Sequence, residues 1–110
     1  MTIHDESEQR RRMELASFLR SRREQLLPEQ VGLPKRARRR TPGLRREEVA
    51  EYIGISTTWY TWLEQGRAIH VSVEVVEQLA HLLRLSEDEQ VYFFHLAQHS
   101  LPPMLPCRRR

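Results

Sequence analysis

The chain has 110 residues, a formal net charge of +3 and a single cysteine, a size that makes one domain with one modest core. No apolar run reaches the roughly 18 residues of a membrane span, and no segment has the apolar centre of a signal peptide. One cysteine excludes an internal disulfide and fits a reducing compartment, so the expected location is cytoplasmic.

The small net charge is the balance of two larger, opposite ones. Residues 1–46 hold 13 Lys/Arg against 6 Asp/Glu, whereas residues 47–107 hold 2 Lys/Arg (Arg67 and Arg84) against 9 Asp/Glu, and three arginines close the chain. Charge segregated in this way points to a polyanionic partner for one face, the competing reading being a solvated basic surface.

Residues 1–7 are polar and read as a flexible, frayed start. A long helix is expected from about Glu8 to Leu27, with Leu15, Phe18, Leu19 and Leu26 at helical spacing and Met13 and Ala16 widening the stripe. Its charged face carries Arg10, Arg11, Arg12, Arg20, Arg22 and Arg23 against Glu14 and Glu24, much of it ordinary helix surface. Pro28 stops this helix. Pro28 to Gly43 contains three prolines and two glycines and reads as a loop. From Lys35 to Arg46 there are seven positive charges and no acid. Arg38, Arg39, Arg40, Arg45 and Arg46 are therefore candidates for phosphate contact, along a backbone or in a minor groove.

The stretch from Leu44 to Gly66, LRREEVAEYIGISTTWYTWLEQG, reads as two short helices and a tight turn. Val49, Ala50 and Ile53 form one apolar stripe. Gly54 suits a left-handed C-cap, and Ser56 an N-cap. The second helix buries Tyr60 and Leu63 and presents Thr57, Thr58, Thr61, Trp62 and Gln65 on its other face, with Trp59 able to turn either way. A three-residue, Gly-containing turn between two short helices is the helix-turn-helix signature, and the second helix is sized for a major groove. Ser72 caps a fourth helix to about Leu83, whose inner stripe is Val73, Val76, Leu79, Ala80 and Leu83. Ser86 to Glu89 forms a capping box for a fifth helix reaching about His99, with Phe93, Leu96 and Ala97 on its core face. Val91, Tyr92 and Phe94 make its apolar arc wider than one core contact needs and mark a candidate contact surface. Residues 100–110, rich in proline and arginine, read as a tail or linker.

RTPGLRREEVAEYIGIS, WYTWLEQGR and the following Ser-capped helix resemble the XRE-type, lambda-repressor-like helix-turn-helix regulators. GLRREEVA with YTWLEQGR is similar to the subgroup whose members usually carry an MmyB-type ligand-binding domain after the DNA-binding domain. The resemblance covers about residues 12 to 98. It implies an all-α, five-helix, lambda-repressor-like DNA-binding domain over residues 8–99 that regulates transcription. It also implies a structural role for Glu64 in the LEQG motif, holding backbone or a nearby arginine. Where many relatives have glutamine at the start of the first motif helix, Arg45 and Arg46 stand here, which moves that contact towards charge.

No enzyme constellation is present: no phosphate-binding loop, no dinucleotide fingerprint and no zinc-spaced Cys/His cluster. Cys107 reads as a free thiol. His95 and His99 are four apart but have no third ligand and read as surface or interface residues, while His4, His70 and His81 read as exposed. The expectation is thus no catalysis, no metal and no cofactor. Double-stranded DNA is the expected partner, with base edges contacted by Thr57, Thr58, Thr61 and Trp62 and phosphates by Arg38, Arg39, Arg40, Arg45, Arg46, Gln65 and Arg67. None of the four base-edge residues is the bidentate Arg, Asn or Gln that reads one base sharply, so no operator sequence follows. A homodimer on DNA through Val91, Tyr92 and Phe94 is expected, and a small-molecule effector only with a further C-terminal domain. The alternatives are a protein-interaction or antitoxin-like module on the same fold, or the DNA-binding fragment of a larger ligand-responsive regulator.

Overall fold

The computed structural model describes residues 3–32 and 43–98, which form five α-helices and no strand. The helices are α1 (Ile3–Gln25), α2 (Arg46–Ile53), α3 (Thr57–Glu64), α4 (Val73–Leu82) and α5 (Glu87–Leu96), with one 3-10 turn at Pro28–Val31. α1 begins five residues ahead of the expected start, because neither glycine nor proline interrupts the sequence before Pro28. It ends at Gln25, and Pro28 opens the 3-10 turn instead of directly stopping α1.

The caps follow the sequence closely. Gly54 takes a left-handed φ of 92° and its N–H donates to the Ala50 carbonyl at 2.8 Å, closing α2. The Ser56 hydroxyl accepts from the Trp59 N–H at 2.9 Å and opens α3 two residues later. Ser72 does the same for α4 through Val75. At α5 the capping box is reciprocal: Ser86 accepts from the Glu89 N–H, and the Glu89 carboxylate accepts from the Ser86 N–H at 2.8 Å.

α2 packs on α3 and α4, α1 on α3 and α5, and α4 on α5. The core they enclose takes Leu15 and Leu19 from α1, Val49, Ala50 and Ile53 from α2, Tyr60 and Leu63 from α3, Val76 and Leu79 from α4, and Phe93 and Leu96 from α5. The link into α2 is drawn tight against α1. A Cβ on Gly43 would lie 2.3 Å from the Glu24 carbonyl oxygen, so only glycine permits this approach.

Three expectations about faces are corrected. Phe94, assigned to the contact surface of α5, is only 3% exposed. α5 lies against both α1 and α4, so its apolar arc is wide because two neighbours need it; Phe94 meets Phe93 edge-on at 6.4 Å. Val91 and Tyr92 do remain exposed, Tyr92 edge-on against Phe18 at 5.3 Å. Met13, expected to widen the core stripe of α1, is exposed. Arg23, counted with the surface arginines of α1, is buried. Arg38, Arg39, Arg40, His99 and Cys107 lie outside the described residues.

Candidate nucleic-acid interface

α3 is an eight-residue helix, too short to persist alone, so its position depends on what its inner side grips. Tyr60 and Leu63 enter the core, and Glu64 goes with them at 1% exposure. A buried carboxylate is unfavourable unless paired. Here Arg23 of α1 meets it with two parallel bonds, Nε to Oε2 at 2.6 Å and Nη2 to Oε1 at 2.9 Å. Arg46, the first residue of α2, adds Nε to Oε1 at 2.9 Å. The third nitrogen of Arg23 donates to the Leu44 carbonyl at 2.8 Å, while the Arg23 carbonyl accepts from the Leu44 N–H at 3.2 Å. One arginine therefore ties α1 to the end of α3 and to the segment leading into α2.

Burial alone would push the Glu64 carboxyl up, but the hydrogen bonds of Arg23 first, then the Tyr60 hydroxyl and Arg46, together with the charge of Arg23, hold it below the usual carboxylate range. Tyr60 lies beside this pair. Burial, reinforced by the Glu64 charge, pushes its phenol well above the ordinary value, so it is neutral at physiological pH. The carboxylate role expected of Glu64 is thus present, and its ion-pair partners among the described residues are two arginines. Arg23 is the residue that sequence reasoning missed. Its partner lies 41 residues away, and nothing local separates it from the arginines around it.

The outer side of α3 contrasts with this. Thr57 and Thr58 are exposed, and Thr61 and Trp62 are half-buried. The Thr61 hydroxyl donates to the Thr57 carbonyl at 2.8 Å, which leaves its oxygen as an acceptor and its methyl as an apolar contact. Trp59, left open between two faces, is half-buried and packs against the core. At the C-terminal end of α3 the Arg67 guanidinium lies over the Trp62 ring, 5.2 Å from its centre, and its Nε donates to the Gln65 side chain at 3.1 Å. Trp62, Gln65 and Arg67 thus form one cluster. At the other end, Arg45 and Arg46 border a cleft of about 440 Å³ that Thr57 and Thr61 line from α3. The described candidates, four on α3 and four flanking it, are brought together around one helix.

A family model described as a helix-turn-helix domain matches residues 14–91, more than half of the chain. The chain belongs to this helix-turn-helix domain family. No curated protein and no solved structure gives a significant match. Membership supports the resemblance to XRE-type regulators and makes DNA the partner of this helix-turn-helix domain. Among the described residues, no three His, Cys, Asp or Glu side chains cluster as metal ligands, and no helix is long and apolar enough to cross a membrane.

Proposed function

We propose that this helix-turn-helix domain is the DNA-binding portion of a transcriptional regulator of the XRE kind, reading a specific double-stranded site with α3 in the major groove. The observation that carries the reading is the division of α3. Its inner side is anchored through Tyr60, Leu63 and Glu64, while Thr57, Thr58, Thr61 and Trp62 lie together on the other side. Threonine hydroxyls and methyls suit base edges and thymine methyls, and the Trp62 indole suits the groove rim. Arg45, Arg46, Gln65 and Arg67 flank this row and supply phosphate contacts, to which Arg38, Arg39 and Arg40 add charge from the preceding segment.

Such a helix spans few base pairs, so two copies would bind half-sites about 10 base pairs apart. Val91 and Tyr92, exposed on α5, are the surface through which copies would pair. Response to a small molecule would belong to a further domain of the MmyB type, following the subgroup that GLRREEVA resembles. Selection of duplexes from a randomised pool tests the reading. The expected result is enrichment of one two-fold-related motif and binding that falls steeply with salt. Salt-steep binding without enrichment would leave a nonspecific DNA binder, and no salt-steep binding would favour an interaction module.

A further inference from the structure

The cleft between the start of α2 and α3 holds a charge that its own residues do not balance. Glu64 is one carboxylate shared by two guanidiniums. Arg23 is fully used: two of its nitrogens bond Glu64 and the third bonds the Leu44 carbonyl. Arg46 is used only through Nε, and its side chain is 41% exposed. Neither of its terminal nitrogens hydrogen-bonds a described residue, and Arg46 lines the open cleft with Thr57 and Thr61. The neighbouring cation, Arg45, has its own acid in Glu47 at 3.9 Å. The cluster of Arg23, Arg46 and Glu64 therefore carries one positive charge in excess, which a single phosphodiester anion would neutralise.

A guanidinium can serve two acceptors at once because its donors form a rigid planar fork. With Nε fixed by Glu64, the plane of Arg46 is set and its outer donors are pre-organised, which limits the rotamer entropy lost on binding. We infer that Arg46 holds one backbone phosphate of the duplex in this cleft, and that Glu64 is the residue that positions it. The inference rests on the DNA-binding reading above. It gives Glu64 a role beyond holding the fold: the last residue of α3 fixes a point of phosphate contact, so the depth and register of α3 in the groove are tied to the backbone.

The test is binding of a labelled random-sequence duplex of about 20 base pairs by fluorescence anisotropy across a salt series, with the melting temperature of each variant recorded. Arg46→Ala should lower the slope of log K against log salt by about 0.9, the loss of one phosphate contact. Glu64→Gln gives the sharper readout. It removes a negative charge, so unspecific electrostatics predicts tighter binding, whereas loss of positioning predicts binding weaker by several-fold. In that background Arg46→Ala should have less than half its effect on log K in the native chain. Arg46→Lys keeps the charge and leaves the Glu64 carboxylate in place, so it decides the matter even if Glu64→Gln fails to fold. The slope should stay and affinity fall several-fold, because an ammonium lacks the fork. Salt-steep binding by the native chain with an unchanged slope in Arg46→Ala would overturn this inference alone, as would native affinity in Arg46→Lys. Absence of salt-steep binding by the native chain would overturn the DNA-binding reading itself, and this inference with it.

Discussion

The two sides of α3 obey different rules. Inward, Tyr60, Leu63 and Glu64 are each at most 3% exposed, and they join the helix to α1, α2 and the core. Outward, the side chains of Thr61 and Trp62 have local partners among the described residues: Thr61 its own helix and Trp62 the guanidinium of Arg67, with Thr57 and Thr58 exposed beside them. Residues that hold the helix are separate from those proposed to meet DNA, although both lie within eight positions. Substitution should therefore separate stability from binding according to the side it strikes.

The largest effect falls on the inner side. Glu64→Ala leaves Arg23 buried with no carboxylate, which costs about 3–5 kcal/mol. At roughly 4–8 °C per kcal/mol for a domain near this size, the melting temperature followed by circular dichroism should fall by more than about 10 °C. A fall of only a few degrees would mean that water reaches Arg23 and that the inner side is open to solvent.

Acid probes the same pair without mutation. The Glu64 carboxyl is held below its usual range in the folded chain, so the unfolded chain takes up the proton first, near pH 4.3. The stabilisation is complete above that value and is lost as pH falls towards the lower folded value. Melting temperatures measured from pH 7 to pH 3 should lose the Glu64 contribution only below about pH 5, and Glu64→Gln should lower the neutral-pH value and flatten that acid decline. An equal decline in both proteins would assign it to other carboxylates.

A smaller effect is expected where the helix begins. Ser56→Ala removes the acceptor for the Trp59 N–H and should cost about 1 kcal/mol in a denaturant titration. Specificity should survive, since Ser56 stands at the boundary between the two sides.

The features legible in the sequence were those with local causes. Gly54, Ser56, Ser72 and the Ser86–Glu89 box announce helix ends within four residues of themselves, and Val49, Ala50 and Ile53 announce a buried face by spacing alone. What stayed hidden depended on distant neighbours. Arg23 looks like Arg22 until α3 brings Glu64 against it; Arg22, one residue earlier, reaches Glu89 of α5 at 3.2 Å instead. Phe94 looks like surplus apolar area until α5 is seen against both α1 and α4. The outer side of α3 was readable as a row of residues, but threonine and tryptophan do not specify a base, so the row indicates a surface and not a sequence.

In the proposed function, α3 is held by its inner side and reads DNA with its outer side. The most direct test of that division pairs two numbers, the dissociation constant for the selected duplex and the melting temperature, for Thr58→Ala and Trp62→Ala. Each should weaken specific binding by roughly tenfold, about 1–3 kcal/mol per lost contact, while the melting temperature stays within a few degrees of the native value. Unchanged affinity for both, or a collapse of the melting temperature in Trp62→Ala, would contradict that division.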